Sequence, residues 1–246
     1  MTSLPLIIPD WPLPSNLCAV QTTRAGGAST GPWGSLNLAL HTGDDPATVH
    51  RNRARLSDAL RLRRVPAWPR QVHGAVVADA AALTDEVEAD AVVARRAGDV
   101  CSVQTADCLP VLFASLDGQR VAAAHAGWRG LAGGVLEATV DALGCPPAEV
   151  TAWLGPAIGP EAFEVGPEVR SAFVAEQAAA AVAFRSGVGD RWFADIYQLA
   201  RLRLERAGLR EVHGGGRCTY SESETFFSYR RDGACGRMAT LIWRVN

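Results

Sequence analysis

The sequence predicts an α+β domain in which mixed or antiparallel sheets are flanked by helices. Three observations carry this expectation. Apolar runs of strand length cluster in the middle of the chain, tight-turn signals join some of them directly, and helical stretches are interspersed without strict alternation. At 246 residues the chain can bury a sizeable core, and it is read as a single domain over residues 1–246. Residues 17–23 read as a strand. Residues 44–62 open on Asp44-Asp45-Pro46 and carry arginines at helical spacing, which predicts a surface helix. Residues 89–95 and 100–105 are strand-like runs around Ala97-Gly98-Asp99, predicted as a hairpin or bend. Residues 111–116 and 120–125, joined at Asp117-Gly118, make the clearest hairpin. Residues 131–143 read as a helix closed by Gly144 ahead of Pro146 and Pro147. Residues 150–154 are a strand, 168–183 and 195–207 are helices, the second closed by Gly208, and 238–245 are a C-terminal strand.

Composition narrows the function. The formal net charge is −2, so no global field favours nucleic acid or an anionic membrane. All 24 basic residues are arginines. Without lysine, Schiff-base catalysis and a phosphate-loop lysine are excluded, and any anion must be held by guanidinium or backbone N–H groups. Residues 1–10 lack a positive n-region and are broken by prolines, unlike a signal peptide. No stretch reaches the roughly 18 apolar residues of a membrane helix. Six cysteines in a chain of this length do not make a disulfide scaffold, so reduced thiols and a cytoplasmic location are expected. The expected assembly is a monomer or small homo-oligomer.

The most telling side chains are His73 in Gln71-Val72-His73-Gly74, Cys108 in Ala106-Asp107-Cys108-Leu109-Pro110, and His125 in Ala124-His125-Ala126-Gly127-Trp128. A lone histidine is usually a polar surface residue, and a lone cysteine a small buried hydrophobe. Position argues otherwise for two of them. In a pair of strands turned at Asp117-Gly118, residues 108 and 125 fall nearly opposite, about 5 Å apart at Cβ. His73 is placed by no local geometry. His41 and His50 are chemically equivalent third donors, discounted because nothing brackets His41 and His50 lies on a polar helix; His213 stays in reserve. Two imidazoles and a thiolate hold zinc or copper and leave a coordination position open, the hallmark of a catalytic site that activates water near neutrality. The five histidines are too few for the full set of copper centres of a multicopper oxidase. The same residues without metal read as a Cys108 nucleophile activated by His125.

Substrate-binding expectations are weaker. The glycine-rich segment from His125 to Gly134 enters a helix and offers an anion pocket with Arg129 as a clamp. Arg24 stands at the mouth of a second glycine-rich loop, and Asn37 follows it as a reader of an amide or hydroxyl. Tyr220, Phe226, Phe227, Tyr229, Arg230 and Arg231 combine ring faces with cations, a set suited to a planar base and equally to a core.

Taken together, the segments Gln71–Gly74, Ala106–Phe113, Ala123–Gly130, Leu154–Pro160 and Cys218–Gly233 resemble the laccase-domain (polyphenol oxidase) family of purine nucleoside phosphorylases, also known for a peptidoglycan editing factor. The likeness runs from Arg24 to Trp243. It implies a layered α/β/β/α fold similar to the catalytic domain of cytotoxic necrotizing factors, and His73, Cys108 and His125 as metal ligands and catalytic centre. The implied activity is zinc-dependent phosphorolysis of adenosine, inosine and guanosine, with cleavage of methylthioadenosine and deamination of adenosine alongside it. Copper phenol oxidation and a Cys–His amidase acting on peptidoglycan precursors are the alternatives. Expected partners are thus purine nucleosides and phosphate. Asp107, beside a ligand, is expected to shuttle a proton or orient a neighbour, and Arg24, Asn37, Arg129 and Arg230 to contact substrate.

Overall fold

The computed structural model describes residues 4–245; of the N-terminal stretch read above as no export signal, residues 1–3 lie outside it. The first half of the chain forms β1 (Leu6–Ile7), β2 (Leu17–Thr22), α1 (Pro46–Ala59), β3 (Val77–Asp79), β4 (Ala91–Ala94), β5 (Val100–Thr105), β6 (Leu109–Ser115) and β7 (Val121–Ala126). The second half forms α2 (Trp128–Ala132), α3 (Val135–Leu143), β8 (Val150–Leu154), β9 (Glu164–Val165), α4 (Pro167–Glu176), β10 (Phe184–Ser186), β11 (Trp192–Ala194), α5 (Ile196–Arg206), β12 (Glu211–Gly214), α6 (Tyr229–Asp232) and β13 (Met238–Arg244).

Two sheets dominate: a six-stranded one ordered β12-β8-β6-β7-β4-β3 and a four-stranded one ordered β1-β2-β13-β5. They pack face to face. Val92, Ala94, Leu112, Ala114, Val121 and Ala123 of the larger sheet meet Ala19, Cys101, Val103 and Ile242 of the smaller. Alternation along each strand sends the intervening residues outward. On the larger sheet Val111, Phe113, Ala122 and Ala124 pack against Leu136, Val140, Leu199 and Leu204 of α3 and α5. On the smaller sheet Val20, Val100 and Leu241 pack against Leu36, Leu38 and Leu56, the last from α1. The result is the expected α+β architecture, with one mixed and one antiparallel sheet sandwiched between helices. A small antiparallel sheet, β10-β11-β9, lies outside these layers. Among the described residues no helix is long and apolar enough to cross a membrane.

Four local expectations are corrected. The bend at Ala97-Gly98-Asp99 is no hairpin: β4 belongs to the larger sheet and β5 to the smaller, so the chain changes layers there. The helix expected over 131–143 is two, because Gly134 takes φ +90°, a left-handed value that stops α2 and restarts the chain as α3. The helix expected over 168–183 ends at Glu176, where Gln177 turns extended, and Ala178–Ala183 continues as a 3₁₀ helix. The β6–β7 hairpin keeps its parity but slips by two, pairing Pro110 rather than Cys108 with His125.

Candidate metal centre

The polar site grows out of the inter-sheet layer. Asp90 precedes β4, Thr105 ends β5, Cys108 precedes β6 and His125 lies near the end of β7. Each shares its strand's parity with residues of the inter-sheet core, namely Val92, Val103, Leu112 and Ala123. Strand periodicity therefore aims four polar side chains at one open end of the slot, where the apolar packing stops.

His125 is 3% exposed and Asp90 is fully buried. The β4–β7 register, Ala91 opposite Ala124, continues to place Asp90 opposite His125. The His125 backbone N–H donates to the Asp90 carbonyl at 2.7 Å, and its Nδ1 lies 2.8 Å from Asp90 Oδ1. Holding Nδ1 in this way leaves Nε2 free to ligate, as carboxylate-backed histidines do in metal sites. The same carboxylate also fixes the His73 turn. It accepts from the backbone N–H groups of Val72 at 3.1 Å, His73 at 2.9 Å and Gly74 at 2.7 Å. That turn places His73 at φ +61°, a left-handed value unusual for a residue with a side chain. One buried anion thus orients both histidines.

Cys108 completes the cluster. Its Sγ is 3.9 Å from His73 Nε2, and the His73 and His125 rings meet edge to face at 4.8 Å. One ligand atom from each of the three residues lies within 4.8 Å of the others. Burial would push the Cys108 thiol up, but the charge and hydrogen bond of His125, with help from His73, outweigh it and bring it down to about 6. Burial opposes charge on His125 too, yet the Cys108 thiolate and the Asp90 carboxylate lift its imidazole to about 9. The thiolate form, which is the ligating one, is the stable form at neutral pH.

Two glycines make room for the cluster. A Cβ on Gly127 would stand 2.9 Å from His73 Cδ2 and 3.0 Å from Cys108 Sγ, and one on Gly130 would stand 2.8 Å from the Gly74 carbonyl oxygen. These glycines serve close packing. Gly127 has φ −61°, open to any residue, so Gly127→Ala leaves the backbone unstrained and drives a methyl between His73 and Cys108. The expected result is a folded protein, melting close to wild type, whose metal content measured by elemental analysis falls well below stoichiometric.

A cavity of about 380 Å³ opens over the triad, lined by His41, Gln71, Gln104, Thr105, Tyr229 and Arg237 together with His73, Cys108 and His125. That volume is typical of small-molecule sites. His41, set aside on sequence grounds, stands on this wall. Burial and the charges of Arg237 and Arg53 hold its imidazole below the ordinary value. Asp90 and Arg237 escaped the sequence reading altogether.

The other expected contacts lie elsewhere. Arg24 donates to the Gly34 and Ser223 carbonyls and stacks on Phe227. Asn37 is buried, its amide held by Ala39, Thr42, Asp44 and the Arg237 backbone. Arg129 is exposed and folds over Trp128, on a helix of five residues. Arg230 reaches the Glu164 carbonyl. Asp107 takes the Thr219 hydroxyl at 2.6 Å and the Arg230 N–H at 2.7 Å, so it ties the 219–230 segment to the loop that carries Cys108. Phe226 and Phe227 are core residues, whereas Tyr229 is 60% exposed at the cavity.

A layered α+β fold with a His₂Cys cluster at the open end of its inter-sheet slot, three side chains that could hold a metal ion, defines the class of this protein. Within that class the chain belongs to the family described as multi-copper polyphenol oxidoreductase laccase, whose model matches residues 18–245. It is 54% identical over 244 residues to purine nucleoside phosphorylase YfiH of Escherichia coli (strain K12), covering 98% of this chain and 99% of that protein. The crystal structure of Neisseria meningitidis protein NMB0706 superimposes with TM-score 0.94 at 50% identity, covering 98% of this chain and 99% of the other. That of YlmD from Geobacillus stearothermophilus does so with TM-score 0.87 at 32% identity, covering 94% and 93%.

Proposed function

We propose that this protein is a metal-dependent purine nucleoside phosphorylase, converting adenosine, inosine or guanosine and phosphate into the free base and ribose 1-phosphate. The observation that carries the reading is the convergence of His73, Cys108 and His125 within 4.8 Å on the floor of a cavity large enough for a small ligand. The Escherichia coli relative, named as a purine nucleoside phosphorylase and 54% identical over nearly the full length, supplies the reaction class.

The residues fit a metal. Two imidazoles and a thiolate are borderline-to-soft donors suited to zinc or copper, and the carboxylate behind His125 sets its ligating nitrogen. When bound there, zinc would supply Lewis-acid polarisation of a substrate oxygen. The rest falls to the protein. His73 and His125 are pre-oriented by Asp90, and Tyr229, its ring beneath the Arg237 guanidinium, lines the cavity. The Gln71 amide is tied to the Gln104 backbone in both directions, and Gln104 Nε2 donates to the Leu38 carbonyl. Amides so committed are poor readers of a base edge, which suits a site that accepts several purines. Methylthioadenosine cleavage and adenosine deamination are further reactions of the same centre. The six cysteines, all unpaired, suit a reducing cytoplasm.

One observation favours a second reading. Cys108, His125 and Asp90 also stand in the order of a nucleophile, base and orienting carboxylate, which is the arrangement of a thiol amidase. The test separates the two. Purified protein is assayed for bound metals and for inosine turnover with phosphate, before and after chelation. Loss of turnover on chelation and its return with zinc are expected. Phosphate-independent, chelator-resistant hydrolysis would sink the phosphorylase reading.

A further inference from the structure

The cavity wall beyond the triad contains one guanidinium and one stranded hydroxyl. Arg237 precedes β13, and the β13–β5 register, Met238 opposite Thr105, sets it beside the end of β5. Its backbone N–H donates to Asn37 Oδ1 at 2.9 Å, and one terminal nitrogen donates to the Cys235 and Gly236 carbonyls at 2.9 and 3.1 Å. These bonds lock the head group from one side. Among the described residues its Nε and second terminal nitrogen make no hydrogen bond and no carboxylate pairs with it, while the guanidinium lies over the Tyr229 ring at 5.6 Å. Thr105 is 1% exposed, and its hydroxyl is buried without a partner. A native structure leaves such a group unpaired at a cost, unless a ligand completes it. Both residues line the cavity that holds the triad.

We infer that Arg237 and Thr105 form the subsite for inorganic phosphate, on the wall facing the incoming nucleoside. This rests on the phosphorylase reading and assigns its second substrate. A tetrahedral dianion offers what both groups lack: acceptors for two adjacent guanidinium N–H donors and for one hydroxyl. Arg237 is the one arginine on the cavity wall among the described residues, and the chain has no lysine to do the same work. In the reaction a phosphate oxygen bonds to the anomeric carbon and the glycosidic C–N bond breaks. The bonding pair stays with the purine nitrogen, which takes up the proton released from hydrogen phosphate. Arg237 thus binds and orients the nucleophile, and Asn37 acts as its positioning residue through the Arg237 backbone.

The test is a phosphate titration of wild type, Arg237→Ala, Arg237→Lys, Thr105→Val and Thr105→Ser, with bound metal measured on each. Arg237→Ala is expected to raise the phosphate KM about 10- to 100-fold, the scale of a lost charge-assisted bond, with the inosine KM and metal content unchanged. Thr105→Val should raise it less, and Thr105→Ser should stay near wild type. Arg237→Lys keeps the charge but not the fork, and should fall between, which keeps the test alive if the alanine variant does not fold. An unchanged phosphate KM in Arg237→Ala or Arg237→Lys overturns the proposal. If wild type shows no phosphate-dependent turnover, the phosphorylase reading fails by itself. Thermal shift with inorganic phosphate then decides the subsite: stabilisation of wild type but not of Arg237→Ala supports it, and no stabilisation of wild type overturns it.

Discussion

Asp90→Ala is expected to cost this protein both metal binding and a large part of its stability. The wild-type carboxylate is fully buried and accepts hydrogen bonds from three successive backbone N–H groups and from the His125 ring. Removing it strands four donors. Each unsatisfied buried group costs about 1–3 kcal/mol, though relaxation and water entry keep the sum below four full penalties. A net loss of about 3–5 kcal/mol corresponds to a fall in melting temperature of roughly 10 °C for a chain of this size. The His73 turn, held at φ +61° by those bonds, would lose its anchor, and His125 would lose its orienting partner. Loss of such an outer partner alone lowers metal affinity about 10- to 100-fold. Asp90→Asn keeps the volume and one acceptor, and should melt closer to wild type while still binding metal weakly. Calorimetry and elemental analysis on the two variants check this. An alanine variant with wild-type melting and full metal occupancy would show that the triad stands without its carboxylate.

Asp90 was also the residue hardest to see from sequence, and the reason is physical. It lies 18 residues before Cys108, directly ahead of a strand that pairs with β7, so only strand pairing brings it to His125. A signal was present. An acidic residue directly before the wholly apolar run Ala91–Ala94 has no water to face, and a buried carboxylate must be bonded. Cys108 and His125 were legible because a single hairpin carries both, and parity survives a register slip of two. That legibility comes from the tight turn at Asp117-Gly118 and not from face alternation, since β6 and β7 are buried on both faces too. The residues of β4 and β5 are all buried, so the sequence gives no hint that they belong to different sheets. Arg237 was hidden for a further reason: an arginine before a C-terminal strand looks like any surface cation until β13 is seen pairing with β5.

Replacing Cys108 by alanine is expected to abolish metal binding and turnover together. Removing one of three ligands should weaken metal binding by more than the roughly 10- to 100-fold seen for outer-partner changes. The thiol can be followed directly in chelated wild type. Only the thiolate is alkylated, so the rate should rise through a midpoint of about 6, set by His125, where an ordinary thiol rises near 9. The sign is fixed by the direction of the shift: lowering the value extends the reactive form to lower pH. In His125→Ala the compensating charge is gone while burial remains, so the midpoint should move up. Zinc added before the reagent should protect the sulfur. These measurements tell the two chemistries of the site apart. In a metal centre, zinc both blocks alkylation and restores turnover to the chelated protein. In a thiol amidase, zinc blocks alkylation and turnover alike, because the nucleophile is the ligand it captures. Turnover that survives chelation and is destroyed by alkylation along the same pH curve would therefore make Cys108 the reacting atom, and His73, which such a dyad does not need, would be left without a role.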